Sequence, residues 1–430
     1  MSDQTPITGR NGVAIRGSKT SGDGFRTYEV FQRERVGQST EKIKPAQLNS
    51  DAYRSDPYPL LAILREHYPC YRDWLNNCFW ITRYDDVTSL FADDANFETR
   101  SKAWFYGLYE AGRDFSVTVP VLQVIAETWD REVSGMAGEL LATMQQQGGG
   151  NLATEFAATL ATNLTAAAFG VPRDDWAEFA GRYWRLQRGT SWQPQLQQDG
   201  LQAYAELVTY FEALPISGGV AGALQDSGES PTPEDIVVTL LEQDHETLHG
   251  LLANLWCRLL SDHSAREAVG SDARLMKLAV LETWRHSTPT ISAKRFARHE
   301  VERFGRLLPA GALMVCSAAA ANRDPRVFAN PDEFVVDRAD LCQREPRGQY
   351  RADGLASGIS FGTGKPSIHP AIPEDRPRSR YALVRDTAVA ASLAVLEAMP
   401  HVALAAEAKP GLHALTTGEM HTCWQLPITC

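Results

Sequence analysis

The stretch LPAGALMVCSAAAANRDPRVFANPDEFVVDR, residues 308–338, decides the fold. It opens on a Pro-Ala-Gly turn signal and continues as a short apolar strand. It then becomes an Asn/Asp/Pro-rich coil that ends on Arg338. Just upstream, ARLMKLAVLETWRHS (273–287) has helical periodicity. Within it Glu282 and Arg285 stand at i, i+3, share one helix face and can pair. Downstream, SFGTGKPSIHPAIPEDRPRSRYALVRD (360–386) sets an aromatic residue and a Gly-x-Gly turn ahead of a last helix near 381–399. A segment of this kind is built to hold a cofactor, yet it contains no cysteine and four prolines: Pro366, Pro370, Pro373 and Pro377.

The rest of the 430 residues reads as mainly helical with small β-sheets inserted. DPYPLLAILREHYP (56–69) is a helix with prolines near its start, and CYRDWLNNCFWITRY (70–84) is an aromatic hairpin around Asn76-Asn77. YDDVTSLFAD (84–93) is a short helix with an Asp cap. Helices fill 121–270, the longest being EDIVVTLLEQDHETLHGLLANLWCRLL (234–260), read as one element. Residues 1–50 read as a flexible N-terminal extension and 51–430 as a single domain.

A net charge of −11 argues against nucleic acid as partner. No run approaches the ~18 apolar residues that span a membrane, and no apolar signal segment precedes the domain. Cys70, Cys78, Cys257, Cys316, Cys342, Cys423 and Cys430 show no paired spacing, as in a reduced intracellular chain. The cytoplasm is the expected compartment.

From about Asp51 onward, these segments in this order resemble a bacterial cytochrome P-450. ETWR matches the family's E-x-x-R signature, 308–338 matches the strand and meander that follow it, and 56–87 matches its first helix and hairpin. The resemblance implies the single-domain cytochrome P-450 fold. It also implies a buried ionic cluster of Glu282, Arg285 and Arg338.

The family's heme loop reads F-G-x-G-x-(H/R)-x-C-x-G. Phe361, Gly362 and Gly364 match it, but Pro366 replaces the basic residue, Ile368 the iron-ligating cysteine and Pro370 the last glycine. The family's propionate-binding H-x-x-x-R falls at Phe115 and Val119, with only Arg113 nearby. Its A-G-x-(D/E)-T-T appears as Gln243-Asp244-His245-Glu246-Thr247-Leu248. This keeps an acid and an alcohol at Glu246 and Thr247 but makes the two small residues large.

The expectation is therefore a heme-free pseudoenzyme with no cofactor and no metal. Its role would be that of an auxiliary protein or scaffold for a biosynthetic partner enzyme. The implied analogue is the P-450-like auxiliary protein of natural-product glycosyltransferases. The alternatives are a heme monooxygenase with His369 as ligand, or a protein binding a small hydrophobic molecule in the vacated cavity. HETLH (245–249) formally matches H-E-x-x-H, which would put His245 and His249 on a metal. The charged insertion at Glu374–Arg380 is a candidate contact surface.

Overall fold

The computed structural model describes residues 43–430 apart from Ala92, Asp94, 109–118, Trp192, 215–217, 227–230, Asp244, 339–379 and 416–419. It also describes an antiparallel pair of Ile7–Thr8 with Ala14–Ile15. In chain order the first elements are α1 (Asp51–Ser55), α2 (Tyr58–His67), β1 (Cys70–Asp73), β2 (Cys78–Ile81), α3 (Tyr84–Phe91), β3 (Phe97–Glu98) and α4 (Lys102–Phe105). Next come α5 (Val119–Gln147), β4 (Gly149–Asn151), a π-helical turn (Leu152–Ala158), α6 (Thr159–Ala168), α7 (Trp176–Arg188) and α8 (Pro194–Ala213). Helices α9 (Gly219–Asp226), α10 (Pro233–Leu241), α11 (His245–Ser261), α12 (His263–Ser271) and α13 (Leu275–His286) follow. The chain continues through β5 (Ala293–Ala297), β6 (Val301–Arg303), β7 (Arg306–Leu308), β8 (Leu313–Cys316) and α14 (Ala318–Ala321). It finishes with α15 (Arg380–Ala398), β9 (Ala403–Leu404), β10 (Leu412–Ala414), β11 (His421–Cys423) and β12 (Pro427–Thr429).

Contacts divide these elements into two compact units. The first contains the five-stranded sheet, in the order β1-β2-β8-β5-β3. Strand β8 runs parallel to β2, with Leu313 opposite Cys78, and antiparallel to β5. Every residue of β1 and β2 is buried; β2, Cys-Phe-Trp-Ile, is a continuous apolar run, whereas β1 buries Arg72 and Asp73. Ile43, Leu48, Tyr53, Leu61, Trp80 and Val315 meet in this unit's core.

The β1–β2 hairpin found from the sequence is fixed from inside. The buried Asp73 carboxylate accepts from the N–H groups of Leu75 and Asn76, both at 3.0 Å, and from the Asn76 amide at 2.7 Å. Asn77 takes the left-handed conformation that the turn requires (φ 52°). Trp74 at the tip remains 65% exposed. The capping expectation for α3 changes: Asp324, far along the chain, accepts from the Tyr84 N–H at 3.1 Å.

The second unit is a helical bundle in which α5 packs on α6 and α15, and α11 packs on α6 and α15. Beside it lies the small sheet β9-β12-β4. Gly149 faces Thr429 across that sheet with φ 146°, and a Cβ there would strike the Ile428 carbonyl, so only glycine fits. Helix α10 begins with a full capping box, Thr232 with Asp235, and Pro233 in its first turn.

The 234–260 segment is not one helix. It breaks at 242–244, and α5, with 29 residues, is the longest helix described. No described helix is long and apolar enough to cross a membrane.

Candidate functional site

Glu282 and Arg285 on α13 are both fully buried. The Arg285 guanidinium donates to both carboxylate oxygens, Nε to Oε2 at 2.8 Å and Nη2 to Oε1 at 2.7 Å. Its other N–H groups reach the carbonyls of Asn322 (3.0 Å), Pro331 (2.7 Å) and Glu333 (3.0 Å). Glu282 Oε1 also accepts from the Val335 N–H at 3.0 Å, and Arg338 Nη1 lies 3.6 Å from it. Arg338 donates in addition to the Ala329 carbonyl. The guanidinium fork thus ties the helix to the coil over 322–338, and each buried charge keeps several partners. Charge can be buried only on those terms.

In the second unit, the break between α10 and α11 is held by a side chain that is silent in the sequence. Gln187, at the end of α7, donates its amide to the carbonyls of Leu240 (3.3 Å), Leu241 (3.1 Å) and Gln243 (2.9 Å). Its own oxygen accepts from the Lys102 ammonium at 2.5 Å. The Tyr183 hydroxyl donates to the Gln243 carbonyl at 3.2 Å, and Arg380 reaches the Glu242 carbonyl at 3.2 Å. Carbonyls that a continuous helix would have paired internally are satisfied by these donors, so the break leaves none of them orphaned. The Gln243 amide turns back onto the Thr239 carbonyl at 2.9 Å. Glu242 accepts from the Ala103 N–H at 3.2 Å, and burial raises its pKa above the usual carboxylate range.

The histidines of HETLH sit on rings. His245 lies 4.5 Å from Tyr183 and 4.6 Å from Trp184, centroid to centroid. His249 is 5.6 Å from Trp184 and 5.4 Å from Trp424. Both are buried, as is Thr247, while Glu246 is half-buried. Burial lowers the His249 pKa to about 4, so this imidazole is neutral and packs like an apolar ring. Among the described residues no group of three metal-ligating side chains comes together.

Phe361, Gly362, Gly364, Pro366, Ile368, His369, Pro370, Arg113, Phe115, Asp244 and most of the 374–380 insertion lie outside the described residues. Arg380 is the first residue of α15. Sequence reading missed Gln187, Tyr183, Trp184 and Trp424. Each acts on partners far along the chain, and no local pattern marks them.

Order of elements and the E-x-x-R cluster are those that the resemblance implies, a cytochrome P450-type fold. The comparisons agree. No family model matches the chain. It is similar to a vitamin D(3) 25-hydroxylase of Pseudonocardia autotrophica, 25% identical over 70% of this chain and 82% of the relative. It is also similar to Protein DesVIII of Streptomyces venezuelae, 34% identical over 194 residues, 44% of each chain. The cytochrome P450 PksS of Bacillus subtilis shares the fold with a TM-score of 0.71 over 90% of this chain and 99% of that one, at 20% identity. P450BioI, solved in complex with an acyl carrier protein that carries hexadec-9Z-enoic acid, does so with a TM-score of 0.69 over 88% and 99%, at 21% identity. These neighbours identify the cytochrome P450 superfamily as the one whose fold the chain has.

This corrects one expectation. The absence of a cofactor, inferred from the altered loop, is overturned by these relatives, which point to heme as the cofactor. Within the second unit, the break before α11 and the start of α15 enclose a cavity of about 10 Å³, lined by Leu122, Ile125, Trp129, Phe169, His245 and Arg380 among others. That is room for about one water. The residues that the family's motifs would place on a heme, 361–370 and 113–115, lie outside the described residues, and no chemical step is derived through a porphyrin.

Proposed function

We propose that this chain is a pseudoenzyme of the P450 fold that docks on a biosynthetic partner enzyme and keeps it active. The model for this role is the P450-like auxiliary protein of natural-product glycosyltransferases. The observation that carries the reading is the packing at the start of α11. Gln243, in place of a small residue, is locked by its amide bond to Thr239, and its carbonyl is held by Tyr183 and Gln187. His245 is wedged against Tyr183 and Trp184. Gln243 thus stands, fully hydrogen-bonded, where the family's motif has a small residue, and this supports the reading.

The loop sequence adds to this, since Ile368, at the family's cysteine position, has no lone pair to give a metal. P450BioI, crystallised on an acyl carrier protein, supports the use of this fold as a docking surface. The unpaired spacing of the cysteines supports a cytoplasmic setting.

The test is reconstitution with the glycosyltransferase or other biosynthetic enzyme encoded beside it. A co-eluting complex and at least a tenfold rise in the partner's turnover are the expected results. No complex and unchanged turnover would end this reading.

A second reading, a heme monooxygenase, is favoured by the similarity to a hydroxylase. It calls for a stoichiometric Soret band when the chain is expressed with heme supplied. His369 is the ligand the sequence offers, so His369→Ala would remove that band.

A further inference from the structure

Two thiols that neither reading uses come together in the second unit. Cys257 lies on α11 and Cys423 ends β11; they are 4% and 0% exposed. The Asn254 side-chain oxygen accepts from the Cys423 N–H at 2.9 Å, which seats residue 423 against α11. Cys257 follows Asn254 by three positions and so shares its helix face. The Cys257 side chain hydrogen-bonds that of Cys423, and the Cys423 thiol also reaches the Gln425 carbonyl at 3.3 Å.

We propose that Cys257 and Cys423 form a redox-modification site that closes to a disulfide on reaction with a small disulfide of the glutathione type. The Cys257 thiolate attacks one sulfur of oxidised glutathione, forming a mixed disulfide and releasing one glutathione thiolate. The Cys423 thiolate then attacks the Cys257 sulfur and expels the second glutathione. The two protein thiols are oxidised by two electrons, one glutathione disulfide is reduced to two thiols, and the two protons from the protein thiols end on the two expelled glutathione thiolates.

The environment selects this pair. The hydrogen bond from Cys423 is the largest influence on Cys257; burial works against it and the nearby Arg258 charge adds a smaller lowering, and together they hold Cys257 below the ordinary thiol range. Burial does the opposite to the solitary thiols, pushing Cys316 up to about 12 and Cys78 higher still. Nucleophilic reactivity follows the thiolate, so Cys257 is the attacking group and Cys423 the resolving one. Because both are buried, the reaction passes through local opening and is slow compared with reaction at the exposed Cys430.

The experiment treats the intact chain with oxidised glutathione, then denatures it, alkylates the remaining thiols and maps peptides by mass. The expected result is a peptide linking 257 to 423, reversed by dithiothreitol, and a thermal midpoint higher by roughly 5 °C. Cys257→Ser and Cys423→Ser should each lose the linked peptide and the shift. Recovery of both residues as alkylated free thiols while Cys430 is glutathionylated overturns the proposal. So does a cross-link from Cys257 to any other cysteine, or glutathione retained on either residue without closure. The linkage map on the unsubstituted chain decides the question even where a variant fails to fold.

Discussion

Arg285 spends its whole guanidinium on Glu282 and three backbone carbonyls. Removing either charge leaves the other buried without compensation. Arg285→Ala or Glu282→Ala should cost about 3–5 kcal/mol, read as a lower urea midpoint at unchanged slope. His249 makes a titration prediction. Its folded pKa, about 4, lies below the ordinary imidazole value of 6.5 because burial penalises the charged ring. Between those values the unfolded chain binds the extra proton and the folded one does not. This contribution therefore erodes as pH falls through that window, by a few kcal/mol in all. His249→Asn should flatten the stability profile between pH 6.5 and 4, while an unchanged slope would place the titrating group elsewhere.

At the level of elements, the break between α10 and α11 depends on a clamp donated from α7. Gln187→Leu would strip donors from three carbonyls and should cost about 1–3 kcal/mol. Amide exchange should rise at 240–246, and more than in α5. Where α7 meets α8, the Tyr106 ring lies between Gly189 and Gly200, with its hydroxyl donating to the Leu186 carbonyl. A Cβ at either glycine would run into that ring. Gly200→Ala should destabilise by about 1–3 kcal/mol through overpacking, and Gly200→Ala in a Tyr106→Leu background should cost less, which a double-mutant cycle measures.

Taken as a whole molecule, the fold was legible because its strongest signals are local and ordered. Glu282 and Arg285 are three residues apart, the hairpin advertises itself through Asn76-Asn77, and α15 begins where helical pattern resumes after the prolines. The helix break was not legible, since neither proline nor glycine punctuates Glu242-Gln243-Asp244, and the residue that clamps it, Gln187, lies more than fifty positions upstream of its partners. Burial of the histidine rings was hidden for the same reason: Trp184 approaches from far upstream of His249 and Trp424 from far downstream. The altered loop lies outside the described residues, and the inference from it to an absent cofactor did not survive the relatives. At this scale the discriminating measurement is turnover of the partner enzyme set against the Soret band, since the two functional readings predict opposite outcomes.

The sheet β9-β12-β4 joins residues 149–151 to residues 427–429. During synthesis the ribosome must deliver about 275 further residues before β4 finds its neighbour, and contacts of such long separation form slowly. Until then Gly149 and Gly150 present an open strand edge to solvent. Nascent chains stalled short of residue 427 should thus be held by chaperones and cut by proteases near that edge, whereas the released chain closes it.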